Sequence, residues 1–366
     1  ELASLNTVDG QQRLLTLTLM CDFLNASHLV SIKLLEHPFD SNISKENLQH
    51  NAAIISSRLN QLGDAEKEEL TDFLLHKCEL ITFTLSDVSE AFQFFDSQNS
   101  RGKELEPYDL LKAFHLREMD SNTELEKLTC VAEWEENVEP EDNSISLHTV
   151  MGDYLFRMRN WAMRDSGIDF TREYIGIFKG VNLHQNIYPF TAPMKALSYQ
   201  VEQYNSDPVR EWDQQAMPYP FAVDQTMING RHFFEYLQRY IRLYKELFVE
   251  PKPELADLMA IINGYKGRSR TGDHYVRNLF LCSVMFYYDK FGNAELTKAA
   301  KLCFLWSYRI RLEQNSVKIE SIDNHAKAKG QIFDVIKRAL HPYDVLSFPI
   351  RAVEDIKGTH IDGLIA

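Results

Sequence analysis

From residue 146 to residue 340 this chain repeats one pattern: apolar side chains recur at three- and four-residue spacing and hardly ever alternate. Such spacing gathers apolar groups on one face of a 3.6-residue helix, whereas a half-buried strand needs strict alternation. The segments 146–164, 170–181, 193–205, 225–249, 252–263, 273–290, 294–314 and 326–340 all read as helices. No fixed-period repeat accompanies them, so an irregular helical bundle is expected rather than a solenoid. Within 225–249, Phe233, Tyr236, Leu237, Tyr240 and Tyr244 share one stripe. Despite interleaved arginines that would suit base stacking, the stripe reads as core.

The first third is different. Helices are expected at 11–24, apolar on nearly all sides and so buried, then at 44–62 and 64–78 with Gly63 as a stop between them. The run 80–85 alternates, with Ile81, Phe83 and Leu85 on one face, and is the clearest strand signal; Ser86 then caps a helix through Phe95. A short β-favouring lead, 5–8, runs into Asp9-Gly10-Gln11-Gln12-Arg13. The first turn of a helix offers unpaired backbone N–H groups and a partial positive charge, which suits an anion. Arg13 adds a five-donor fork for phosphate oxygens, and Gln11 and Gln12 can read a base, a ribose or a water. Asp9 and Gln12 also fit a plain capping box, a reading compatible with the first.

A second block, Asn99-Ser100-Arg101-Gly102, reads as a turn, followed by a helix with Glu106 before it, Pro107 at its first position and Asp109 in its first turn. Arg101 would stand on a loop and could meet Arg13 around one polyanion.

Both blocks, in this order, resemble the signature of the GmrSD-type restriction family: DGQQR, then an aromatic, Asn-x-Arg-Gly and Asp-Leu-Leu-Lys. The resemblance covers about the first third of the chain and implies a ParB-like nucleotide-handling domain of α+β type. It implies Asp9, Gln12 and Arg13 as catalytic groups, Gly10, Gln11, Asn99, Arg101 and Gly102 around an NTP, and Asp9, with Asp96 beside it, as a ligand to Mg²⁺. It further implies that nucleotide state gates DNA cleavage, on foreign or modified DNA, by an HNH nuclease. The family's earlier Tyr-Gln-Arg block has no room before Asp9, and the chain opens on Glu1, which points to a trimmed N-terminus. The stretch 331–366 holds His341 and His360 but no His-Asn-His constellation, so the nuclease is expected elsewhere.

Composition narrows the rest. At 366 residues, 44% hydrophobic and 25% charged, two domains are expected, at 1–130 and 144–366. The acidic run 133–142 reads as a solvated linker between them. No apolar run is long enough to span a membrane, and five scattered cysteines suit a reducing cytoplasm. A net charge of −14 excludes a general nucleic-acid coat, so any DNA contact must be a local basic patch. Two patches qualify: Lys266, Arg268 and Arg270 in a Gly-rich loop, against which stands an ordinary surface loop, and Arg157, Arg159 and Arg164, against which stands a buried helix face. No Walker or G-x-S-x-G motif occurs. The expectation is a mainly α protein, with a small α+β N-terminal unit and an irregular helical bundle, that binds and hydrolyses NTP. Its expected partners are DNA, nucleotide, an HNH nuclease and, among the options, further copies of itself. The competing expectation is a non-catalytic DNA-sensing or scaffold module of the same fold.

Overall fold

A computed structural model describes residues 10–26, 35, 42–84, 106–119, 123–138, 140, 145–185, 188–207 and 216–364. The expected strand at 5–8, the helix at 86–95, and Asp9, Asp96, Asn99, Arg101 and Gly102 lie outside them. The chain divides into two compact units, Glu1–Glu104 and Leu105–Ala366.

In the first unit, α1 (Gln11–Phe23) packs on α2 (Asn42–Leu59), and α3 (Asp64–His76) follows. Gly63 stops α2 and opens α3, where its N–H donates to Glu66 Oε2 at 2.8 Å. α1 is not buried all round: Thr18, Leu19 and Cys21 are covered, whereas Leu14 and Phe23 are exposed. Nor does 80–84 form a strand. It carries no regular structure, Ile81 is 82% exposed, and among the described residues no neighbouring backbone pairs with it. Alternation alone does not make a strand without a partner edge.

The second unit is helical throughout, its only described β-pairing being the bridge Val181–Ile228. α4 (Pro107–Arg117) begins as its sequence dictates: Glu106 is the N-cap, Pro107 follows, and Asp109 accepts from the Glu106 N–H at 3.2 Å. α5 (Glu124–Val138) corrects the reading of 133–142 as a linker. Through Val138 that acidic run is the C-terminal half of a helix, held because Cys130 and Trp134 point into the core while the carboxylates face out. α6 covers 147–163 and has a π-helical turn, Val150–Leu155, between α-helical Leu147–Thr149 and Phe156–Met163.

The segment 170–181 is not an α-helix but a 3₁₀ stretch, Arg172–Phe178, ended where the backbone of Gly180 presses on the Met227 carbonyl. After α7 (Ala192–Asn205) comes α8 (Arg231–Tyr244), continued by the π-turn Lys245–Val249. It starts later than periodicity suggests because Gly230, at φ +82°, breaks the chain there. α9 (Pro253–Gly264), α10 (Thr271–Phe291) and α11 (Leu296–Glu313) match expectation closely. The expected helix 326–340 is instead α12 (Ile319–Lys327) and α13 (Ile332–Arg338), split at Gly330 with φ +76°; a short α14 (Pro342–Leu346) follows.

The core is organised around α10, which packs most extensively on α11 and buries Leu279, Phe280, Leu281, Val284, Met285 and Tyr287. The aromatic stripe of α8 is core, as its spacing predicts: Phe233, Tyr236, Leu237 and Tyr240 are buried. Each such side chain removed from water contributes about 1.5–3 kcal/mol.

Candidate functional site

Gly10 is the N-cap of α1, in the left-handed region at φ +87°, and its carbonyl accepts from the Leu14 N–H at 2.9 Å. The cap therefore sits one residue later than the Asp9–Gln12 capping box requires, because only glycine reaches that backbone conformation cheaply. Gln11, Gln12 and Arg13 occupy the first helical turn and are exposed. The Arg13 guanidinium folds back over the cap: a Cβ placed on Gly10 would lie 3.7 Å from its Nη2. One helix tip thus gathers the first-turn amide dipoles, two carboxamides and a guanidinium, with bare backbone at the centre. That set fits an anion such as a phosphate. Among the described residues no group of three His, Cys, Asp or Glu side chains is arranged to hold a metal ion.

The basic loop after α9 lies in the second unit. Lys266 and Arg268 are exposed, and Arg268 Nη1 donates to the Tyr265 carbonyl at 3.3 Å. Arg270 is committed inward. Its Nε and Nη2 donate to the fully buried carboxylate of Asp273 at 2.7 and 3.1 Å, and Arg311 and the Tyr265 hydroxyl close on the same group. Of the three cations, two face outward and the third holds the loop against α10.

The other basic cluster is structural. Arg157 pairs with Asp153 at 2.9 Å and donates to the Gly167 carbonyl. Arg159 donates to the Val223 and Gln225 carbonyls at 2.6 and 3.0 Å, and Arg164 grips Asp334 with Nη2 at 2.9 Å from each oxygen. Arg157 and Arg159 are buried, so this face presents little charge to a polyanion.

Sequence reasoning did not pick out a polar cluster between α7 and α8. Arg231 spreads its three nitrogens over Glu126, Glu202 and Glu235 at 3.0, 3.3 and 3.0 Å. Beside it the Ser198 hydroxyl meets His232 Nε2 at 3.1 Å, over a cavity of about 380 Å³. Burial, and then the neighbouring Arg231, push the imidazole down to about 4, so it is neutral near pH 7. Burial raises the Glu235 carboxyl, against the pull of Arg231. Contact between a hydroxyl and an imidazole is the start of a nucleophile pair. Here the nearby carboxylate, Glu202, sits 3.4 Å from the serine hydroxyl, and Ser198 lies mid-helix, where backbone N–H groups are spent on the helix itself. The cluster ties α5, α7 and α8 together. It joins residues from distant helices, so no local motif announces it.

Comparison with known proteins gives two matches to family models. Residues 3–116 match the GmrSD restriction endonuclease N-terminal domain, and residues 126–363 match a family of unknown function, DUF7834. No curated protein and no solved structure matches the chain. Over most of its length the chain belongs to the DUF7834 family, and it carries ahead of that region an N-terminal domain of the GmrSD restriction type.

Proposed function

We propose that this protein is the nucleotide-responsive component of a restriction system acting on foreign or modified DNA. Nucleotide binding and hydrolysis at the N-terminal domain would gate cleavage by an HNH nuclease. The single observation carrying the nucleotide reading is the tip of α1, where Arg13 folds over a left-handed Gly10 beside the exposed Gln11 and Gln12. The match of residues 3–116 to a restriction endonuclease domain supports the restriction context.

In this reading the first-turn amides and Arg13 hold phosphate oxygens, and Gln12 orients the attacking water. Asn99, Arg101 and Gly102 complete the pocket, and Asp9 receives Mg²⁺. The metal would neutralise charge building on the phosphates. DNA would meet the outward-facing Lys266 and Arg268, with Arg270 setting the loop's shape.

The test is direct. Purified protein with Mg²⁺ and each NTP in turn should release phosphate, and Arg13→Ala should abolish release while leaving the melting temperature unchanged. Nucleotide binding without turnover in the parent protein would instead favour a non-catalytic sensing module. Absence of both binding and turnover would overturn the proposal.

A further inference from the structure

The largest cavity in the second unit, about 560 Å³, opens between α11, α12, α13 and the segment 347–351. That volume falls in the range of small-molecule sites. Its wall is part aromatic, from Trp306 and Phe348, and part polar, from His325, Gln331, Arg309 and Arg351.

The polar groups are unevenly spent. The Trp306 indole N–H donates to Gln331 Oε1 at 2.8 Å, and no described group takes up the Gln331 amide nitrogen. His325 packs against the Trp306 ring with centroids 4.5 Å apart, and its Nε2 is buried with no hydrogen-bond partner. A buried polar nitrogen left unpaired costs roughly 1–3 kcal/mol, which a ligand group would recover. Burial pushes this imidazole down to about 4, so near neutral pH it is an uncharged ring.

At the mouth, Arg309 uses Nε on Glu313 at 2.6 Å and Nη1 on the Arg351 carbonyl at 2.8 Å. The exposed Arg351 guanidinium has no ion pair among the described residues. The one carboxylate on the lining, Asp344, is occupied by the N–H groups of Leu340 and His341 at 2.8 and 2.9 Å.

We infer that this cavity receives a nucleoside monophosphate unit, its heteroaromatic base against Gln331 and His325 and its phosphate on Arg351 and Arg309. The aromatic wall suits a flat ring, an amide donor beside a bare ring nitrogen suits the donor–acceptor edge of a base, and paired guanidiniums suit a phosphate. The same unit occurs free in solution or within a DNA strand. The inference is independent of the nucleotide site at α1.

The experiment uses the full chain carrying Arg13→Ala, so that the α1 site is out of the measurement. Calorimetry follows binding of the four deoxynucleoside 5′-monophosphates, of inorganic phosphate and of single-stranded oligonucleotides. Arg351→Glu should weaken binding at least 10-fold without changing the melting temperature, since Arg351 is exposed. Gln331→Glu keeps an oxygen for the Trp306 N–H but replaces the amide donor, and should weaken nucleotide binding without an equal loss for phosphate. Binding of monophosphates supports a free nucleotide; binding of strands alone, sensitive to both variants, supports a nucleotide within DNA. No binding of either, affinity unchanged in Arg351→Glu, or inorganic phosphate bound as tightly as the nucleotide would overturn the inference.

Discussion

The N–H of Gly230 donates to Nδ1 of His115 at 3.2 Å, across more than a hundred residues of sequence. The other ring nitrogen, Nε2, lies 3.0 Å from the Phe178 carbonyl, and the ring stacks on Phe233 with centroids 3.7 Å apart. One fully buried imidazole thereby fastens α4 to the start of α8 and to the end of the 3₁₀ stretch. It can do so only as the neutral tautomer that donates from Nε2 and accepts at Nδ1.

That requirement makes stability depend on pH. Burial, against the pull of the Phe178 carbonyl, holds the folded-state value of His115 down at about 3. In the unfolded chain a histidine titrates near 6.5, so below that pH the unfolded state binds a proton that the folded state refuses. Stability is therefore complete above about 6.5 and is lost as pH falls toward about 3, at up to about 1.4 kcal/mol per unit. His232 and His325 add to the loss in the same direction, down to about 4. Urea titrations at pH 7 and pH 5 should show the midpoint falling. His115→Gln should be less stable at pH 7 yet show a shallower fall; an unchanged slope would remove His115 as a source.

A second prediction concerns Asp323. Its buried carboxylate accepts from the Trp161 indole at 2.9 Å, the Gly167 N–H at 2.7 Å, the Ser166 hydroxyl at 3.1 Å and Lys327 at 2.8 Å. Asp323→Ala strands several donors at once and should cost about 3–5 kcal/mol. Asp323→Asn keeps one acceptor oxygen and should cost clearly less. Chemical denaturation of the two variants reads the difference.

The basic loop should divide by role. Lys266→Glu with Arg268→Glu should weaken DNA binding and flatten its salt dependence while leaving the melting temperature in place. Arg270→Ala should destabilise by about 2 kcal/mol or more, since it withdraws the bidentate partner of buried Asp273. DNA affinity indifferent to the paired charge reversal would take this loop out of the interface.

At the tip of α1, Gly10→Ala forces a Cβ into φ +87° and toward the Arg13 guanidinium. It should cost about 1 kcal/mol of stability. It should also raise KM for NTP more than Arg13→Lys does, because it blocks the cradle itself rather than reshaping one donor.

Much of this fold was legible because helical spacing is a local property. The bounds of α9, α10 and α11 follow from Pro253, Thr271 and the apolar rows behind them. The start of α4 was readable from Glu106, Pro107 and Asp109 alone. What misled was context. The alternating 80–84 run found no edge among the described residues, and the acidic face of α5 hid Trp134 behind its charges. Around Arg157 and Arg159, cations that look like a polyanion patch spend their donors on carbonyls more than sixty residues away in one case and ten in the other. The exposed first turn of α1 was foreseeable from Gly10 and the polar run after it; its cap was misplaced by one residue because the left-handed backbone of Gly10 is not encoded by side-chain chemistry.

The π-turn at Val150–Leu155 sets the length of α6 with unusual strictness. Such a turn accommodates one surplus residue relative to α-helical winding. Taking that residue out would let the turn tighten and swing everything after it by about 100° about the axis. Arg157, Arg159 and Trp161 would then leave the Gly167 carbonyl, the Val223 carbonyl and the Asp323 carboxylate in a single motion. Shortening this rod by one link should therefore damage the molecule more than replacing most of its side chains.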